Sequence, residues 1–113
     1  KLPDPKKIGN SGSFFKNPIV SLNQLELIKK KYPNVVNYEI NENEFKIAAG
    51  WLIERAGWKG KKFKNYGVHE KQALVLVNYG LANGTEIFNL SEKIILDIED
   101  RFGITLEREV NII

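Results

Sequence analysis

The chain has 113 residues, a net charge of +3, 42% hydrophobic and 27% charged residues, values that suit one globular domain with a single core. Cysteine is absent and there is one histidine, so disulfides, cysteine nucleophiles and thiolate or histidine-rich metal sites are excluded. No apolar run approaches the ~20 residues of a membrane helix, and no signal-peptide pattern opens the chain.

Positive charge is concentrated in the first part of the chain. Residues 1–71 contain 14 Lys and Arg against seven Asp and Glu, whereas residues 72–113 contain three against seven. A basic surface of this kind can face the phosphates of a nucleotide, a diphosphate or a nucleic acid. A solvated, lysine-rich face has the same composition, so the charge alone identifies no ligand.

The two ends of the sequence indicate a domain taken from a longer protein. The chain begins at Lys1 and contains no methionine, and it stops inside the alternating apolar run 105–113 without a turn signal. We therefore expect residues 1–113 to form one domain of a longer chain.

The first predicted elements are a proline- and glycine-rich loop over residues 1–12 and one or two short strands over residues 13–21. The run Gly9–Pro18, GNSGSFFKNP, surrounds a phenylalanine pair with glycines and short polar side chains. Such a loop can turn consecutive N–H groups, or the hydroxyl of Ser13, towards a ligand. A glycine-rich turn before a strand has the same composition, so this run alone leaves both interpretations open.

A capped helix is predicted to begin at Ser21, which has the capping-box spacing with Gln24, and to end at Pro33. Residues 37–47 then read as a strand, a polar turn and a second strand, and residues 46–57 as a short helix that stops at a glycine. Both helices bury apolar residues at helical spacing, which indicates that they cover a common core.

The last part of the chain is predicted to hold a strand, a long helix and a final strand. Residues 73–77, ALVLV, form a continuous apolar run typical of a strand buried on both faces. Residues 85–103 place an apolar stripe on one face of a helix, and residues 104–110 alternate as a strand. Alternation puts Glu107 and Glu109 on one face about 7 Å apart. Such a pair can do acid–base chemistry, although a solvent-facing pair is commoner.

These elements interleave without a regular βαβ rhythm and without internal repeats. We therefore predict a single α+β domain in which helices pack on a mixed or antiparallel sheet. His69, beside the apolar run, is expected to be structural or exposed rather than catalytic, because the sequence offers it no evident partner.

Several segments occur in the order and spacing of one enzyme family. The chain resembles the C-terminal, substrate-binding domain of UDP-N-acetylenolpyruvoylglucosamine reductase (the MurB family), a bacterial flavoprotein of peptidoglycan precursor synthesis, in its form with a longer C-terminal domain. The resemblance covers the chain nearly end to end. Its segments are KLPDP (1–5), GNSGSFFKNP (9–18), AAGWLIE (48–54), KG (59–60), VHEKQALVLVN (68–78) and FGITLEREV (102–110).

The resemblance implies roles for five residues. Reduced FAD would pass hydride to C3 of the substrate's enolpyruvyl group, Ser13 would protonate C2, and Glu109 would be the second catalytic acid. Asn17 and Gln72 would contact the diphosphate region of the substrate. Lys1 would contact phosphates of the substrate or of NADPH.

The resemblance also implies a partner domain. In the family, FAD and NADPH are bound with an N-terminal FAD-binding domain, which also supplies a catalytic arginine and has no counterpart in residues 1–113. We therefore expect this segment alone to bind neither cofactor well and not to turn over UDP-N-acetylenolpyruvoylglucosamine. The whole enzyme would act in the bacterial cytoplasm, in cell-wall synthesis, and would need neither nucleic acid nor membrane. It would thereby support cell shape and cell division.

Two other interpretations stay open. The first is a stand-alone UDP-sugar-binding module without catalysis. The second is a small nucleic-acid-binding domain, because residues 58–66, WKGKKFKNY, interleave basic and aromatic residues as a strand-binding surface does. This segment matches no RNA-recognition signature, and lysines that flank a loop are usually only solvated.

Overall fold

The structure is a computed structural model, and it describes residues 14–63, 66–73, 75–78 and 84–109. Six strands and three helices lie within these ranges. In chain order they are β1 (Ile19–Ser21), α1 (Leu22–Lys31), β2 (Asn37–Glu39), β3 (Glu44–Ile47), α2 (Ala49–Arg55), β4 (Lys62–Phe63), β5 (Tyr66–Val68), β6 (Leu76–Asn78) and α3 (Gly84–Phe102).

Helix α1 begins with the capping box that the sequence predicts. The Ser21 hydroxyl accepts a hydrogen bond from the Gln24 N–H at 3.2 Å, and the Gln24 side-chain oxygen accepts one from the Ser21 N–H, also at 3.2 Å. Leu25 and Ile28 are buried on the inner face. Three lysines occupy the last turn, where the helix dipole favours positive charge.

The first sheet has the strand order β1-β3-β2, and both of its pairings are antiparallel. Strands β2 and β3 are the two strands predicted within residues 37–47. Asn41 forms the turn between them, because its Oδ1 accepts hydrogen bonds from the N–H groups of Asn43 and Glu44 at 2.9 and 3.0 Å. Both strands of this predicted hairpin are therefore confirmed.

The second sheet has the order β4-β5-β6 and is also antiparallel. The sequence did not predict β4 and β5, because strands of two and three residues show too little alternation to be recognised. Strand β6 overlaps the apolar run 73–77, but it pairs only with β5 in the described sheet. The prediction of a strand buried on both faces is confirmed in part: the adjacent residues Val75 and Leu76 are buried and Val77 is half-buried, but the strand itself begins only at Leu76.

Helices α2 and α3 bury the apolar stripes that the sequence predicts. Both end next to a glycine with positive φ, Gly57 at 91° and Gly103 at 69°, a conformation that favours glycine. The buried positions are Ala49, Leu52 and Ile53 on α2 and Ile87, Leu90, Ile94 and Ile98 on α3.

Two charged side chains of α3 contact aromatic residues from the segment between α2 and β5. Asp97 pairs with Arg101 at 2.9 Å and also accepts a hydrogen bond from the Trp58 indole at 2.8 Å. Lys93 lies over the ring of Phe63, 6.0 Å from its centroid. The Trp58 contact fastens the segment before β4 to α3.

Phe14 and Phe15 anchor the beginning of the described chain in the core. Their side chains are 3% and 1% exposed, and the two rings meet edge to face with centroids 5.3 Å apart. Full burial of one phenylalanine side chain stabilises a fold by about 1.5–3 kcal/mol. The aromatic pair within the run Gly9–Pro18 is therefore a structural anchor, whatever the polar residues before it do.

Both sheets and all three described helices contribute to one hydrophobic core. The prediction of an α+β domain is thus confirmed, with antiparallel pairing divided between two small sheets. The final predicted strand is reduced to an extended segment with one isolated bridge, at Arg108.

Candidate functional site

Residues 14–17 and 107–109 come from opposite ends of the described chain and lie side by side; we call them the paired strip. They form an antiparallel bridge, next to which the Glu109 N–H donates to the Phe14 carbonyl at 2.8 Å. Phe14 directly follows Ser13 in the sequence. The strip therefore connects Glu109 to the neighbour of the predicted proton donor.

The alternation predicted for residues 104–110 is present as far as residue 109. Apolar side chains on the inner face hold the segment against the core, and the acidic side chains stand on the outer face. Ile104 and Leu106 are buried, whereas Thr105, Glu107 and Glu109 are exposed.

Arg108, which sequence reasoning did not single out, fastens the strip to α3. Its Nε donates to the buried Ser91 hydroxyl at 2.8 Å, its guanidinium pairs with Glu92, and its Cζ lies 4.1 Å from the centroid of the Phe88 ring. These three contacts with one helix hold Arg108 in place, and Glu109 is the next residue in the chain. The sequence feature that could have indicated this contact is an arginine on the inner, otherwise apolar face of the alternating run.

A cleft of about 530 Å³ opens beside the strip. The Lys16 N–H donates to the Glu107 carbonyl at 2.8 Å along one wall. The cleft presents a lysine, an amide and a carboxylate, groups that can form hydrogen bonds with a polar ligand. Its polar lining includes Lys16, Asn17, Gln24, Thr105 and Glu107.

Asn17 connects the strip to the start of α2. Its Oδ1 accepts a hydrogen bond from the Ala49 N–H at 2.9 Å, which satisfies one of the amide groups that a helix start leaves without an intrahelical partner. Its Nδ2 has no hydrogen-bond partner among the residues that the structure describes. The side chain therefore holds the fold with one end and keeps a donor for a ligand at the other.

Gln72 lies in a short segment between β5 and β6, residues 69–73, which we call the Gln72 loop. The His69 Nδ1 accepts hydrogen bonds from the N–H groups of Lys71 at 3.0 Å and Gln72 at 3.2 Å. The Val75 N–H donates to the Gln72 carbonyl at 2.9 Å. The Gln72 backbone is therefore bonded through both its N–H and its C=O, while the side chain is exposed.

A second cleft, of about 460 Å³, lies between the Gln72 loop and α2. Lys71 and Gln72 form one side of it, and Gly50, in the first turn of α2, forms part of the other. Asn17 contacts the same turn through Ala49. The structure thus brings Asn17 and Gln72 to the first turn of α2 from two different elements.

The predicted roles of Lys1 and Ser13 cannot be read from side-chain geometry, because both positions lie outside the described residues, as do Gly9 and Gly12. His69 was expected to be structural or exposed. Its ring is half-buried and makes the two hydrogen bonds given above. The sequence feature that could have indicated the contact of His69 with the Gln72 N–H is the position of the histidine, three residues before Gln72 in a short loop.

The aromatic side chains that suggested nucleic-acid binding have contacts inside the fold. Trp58, Phe63 and Tyr66 are partly buried against the core, and the last two stack with centroids 5.5 Å apart. Lys61 lies over the Trp58 ring, 5.0 Å from its centroid. Because these rings already pack on protein groups, they do not form an open platform for stacked bases.

Two features are absent from the described ranges. No group of three or more His, Cys, Asp or Glu side chains there could hold a metal ion. None of the helices in these ranges combines the length and the apolar character needed to cross a bilayer.

Comparison with known proteins assigns these features to a family. Residues 4–113 match the family model described as UDP-N-acetylenolpyruvoylglucosamine reductase, C-terminal domain. Proteins of that name from Flavobacterium johnsoniae, Pseudomonas putida and Paraburkholderia phymatum are 58%, 54% and 52% identical over 113, 112 and 109 residues. The matches cover 100%, 99% and 96% of this chain but 34%, 33% and 32% of the relatives. The chain thus spans about a third of the length of these curated relatives.

Proposed function

This chain belongs to the family formed by the C-terminal domain of UDP-N-acetylenolpyruvoylglucosamine reductase, and we propose that it is the substrate-binding domain of such an enzyme. The reaction is the reduction of the enolpyruvyl group of a UDP-sugar, a step of peptidoglycan precursor synthesis in the bacterial cytoplasm. The single structural observation that carries the proposal is the paired strip, which joins Glu109 to the residue after Ser13.

The chemistry requires one hydride and one proton. FAD bound in an N-terminal domain and reduced by NADPH would supply the hydride for C3 of the enolpyruvyl group. Ser13 then delivers the proton to C2, so the double bond becomes a lactyl ether. An alcohol of ordinary acidity donates a proton effectively only when it is aimed at the carbon and its developing negative charge is stabilised.

Glu109 is the second acid at this carbon. Its backbone N–H bonds to Phe14, and Arg108 fastens the preceding residue to α3 through Ser91 and Glu92. These contacts hold the backbone of Glu109 beside Phe14, and a group that stabilises or protonates a reacting carbon requires such support. Glu107, whose carbonyl is bonded to Lys16 rather than to Phe14, is assigned no such role.

Asn17 and Gln72 bind the diphosphate region of the substrate. Each presents an amide side chain next to the first turn of α2, and neither amide nitrogen is bonded to a described residue. Amide N–H groups donate to phosphate oxygens without adding charge, and Lys71 beside Gln72 complements the negative charge of the ligand. Lys1 supplies a further phosphate contact, consistent with the basic character of residues 1–71.

The test is single-turnover kinetics of the full-length enzyme that carries this chain. Ser13→Ala should leave the reduction of the flavin by NADPH unchanged and slow its reoxidation by the enolpyruvyl substrate roughly 10²–10⁴-fold, the range of general acid catalysis. Ser11→Ala is the matched control and should reoxidise at the parental rate. Parental reoxidation in Ser13→Ala would refute the proton-donor role.

A further inference from the structure

His69 makes a contact that the proposed reaction does not require of it. Its Nδ1 accepts from two successive backbone N–H groups, those of Lys71 and Gln72, at 3.0 and 3.2 Å. The backbone N–H and carbonyl of His69 are also hydrogen-bonded. Its N–H donates to Val75 at 2.8 Å, and its carbonyl accepts from Gly60 at 3.1 Å.

The hydrogen-bond pattern makes the ring an acceptor for two neighbouring backbone groups. The N–H groups of Lys71 and Gln72 both point to the same ring nitrogen, Nδ1. The half-buried ring thus acts as a fixed acceptor inside the Gln72 loop. Without it, the N–H groups of Lys71 and Gln72 would lose their common partner.

A second turn of this molecule uses the same arrangement with a different side chain. Asn41 accepts through Oδ1 from the N–H groups of Asn43 and Glu44, two and three residues later, at 2.9 and 3.0 Å. His69 accepts from residues at the same two separations. Asparagine is the usual residue for such a turn, and its Oδ1 takes the place of the imidazole Nδ1.

We propose that His69 is a positioning residue for substrate binding: it accepts from the Gln72 loop and thereby holds the Gln72 side chain towards the cleft beside α2. The proposal rests on the proposed contact between Gln72 and the substrate diphosphate. His69 itself touches no reacting atom. Its effect is on the affinity for the UDP-sugar, and it leaves the reduction of the flavin by NADPH unchanged.

The experiment compares steady-state kinetics of the full-length enzyme carrying His69→Ala, His69→Asn, Gln72→Ala or both alanine changes. His69→Ala should raise KM for the enolpyruvyl substrate roughly tenfold, the effect of one well-placed hydrogen bond, with kcat little changed. His69→Asn should restore the parental KM, because it keeps the acceptor. The double variant should have the same KM as Gln72→Ala, because the two single changes remove the same contact with the substrate.

The outcomes separate this proposal from the function on which it rests. An unchanged KM in Gln72→Ala would refute the proposed contact between Gln72 and the diphosphate. It would also refute the positioning role of His69, which depends on that contact. A raised KM in Gln72→Ala beside an unchanged KM in His69→Ala would overturn the positioning role alone. A KM for His69→Asn as high as for His69→Ala would also overturn it. Parental circular-dichroism spectra in all four variants would show that folded enzymes are being compared.

Discussion

The paired strip and the Gln72 loop both bring amide or acidic side chains towards a proposed ligand, but they are held by different forces. The strip is anchored by Phe14 and Phe15, whose rings are nearly fully buried, and by the contacts that Arg108 makes with α3. The loop is held by backbone hydrogen bonds, including those to the ring of His69.

The difference predicts how each region responds to mutation. The geometry of the strip depends on the core of the whole domain, so changes to its anchors should lower the free energy of unfolding. The geometry of the loop depends on a few local bonds, so changes there should alter ligand affinity while the domain stays folded. The strip has the more rigid support, and it carries Glu109, the proposed second acid.

The largest expected effect is on stability, from Phe15→Ala. Removal of a fully buried phenylalanine leaves a cavity and should lower the free energy of unfolding by about 3–5 kcal/mol. Urea unfolding followed by circular dichroism measures it. Phe63→Ala, which truncates a half-buried ring on β4, is the matched control and should cost less. Equal losses would mean that the strip is not anchored by the aromatic pair.

A smaller effect is expected from Glu109→Gln, in catalysis rather than in stability. The neutral amide cannot act as an acid, so reoxidation of the reduced flavin by substrate should slow about 10²-fold in single-turnover measurements. Glu107→Gln removes a carboxylate from the same exposed face and should react at nearly the parental rate. A larger defect in Glu107→Gln than in Glu109→Gln would show that Glu107, and not Glu109, is the second acid.

The smallest effect is expected at Asn17, where the paired strip meets the start of α2. Asn17→Ala removes the hydrogen bond to Ala49 and should cost about 1 kcal/mol of stability, as the loss of a helix cap does. It should also raise KM for the UDP-sugar. Asn17→Asp keeps the acceptor but replaces the amide donor by a negative charge, so it should retain stability and still bind substrate poorly. Parental affinity in Asn17→Asp would confine Asn17 to a structural role.

Elements defined by neighbouring residues were predictable from the sequence. The capping box of Ser21 and Gln24, the hairpin of residues 37–47 and the apolar stripe of α3 each depend on positions within a few residues of one another. Local spacing states these features directly, and the structure confirms them. The alternation of residues 104–109 is of the same kind.

Contacts between distant segments were beyond local patterns. The pairing of Phe15 with Arg108, the clamp of Arg108 on Ser91 and the hydrogen bond from Trp58 to Asp97 join residues with no shared periodicity. Strands as short as β4 and β5 have almost no pattern of their own, so the second sheet was found only in the structure. Resemblance to a family, rather than pattern, suggested that Asn17, Gln72 and Glu109 act together.

The most direct test of the central claim is an amide-shift NMR titration of the 113-residue chain with UDP-N-acetylglucosamine. If the paired strip and the Gln72 loop form one substrate surface, the amides of Lys16, Asn17, Gln72 and Glu109 should shift together, with one dissociation constant. Shifts confined to one of the two regions, or shifts in neither, would contradict that claim.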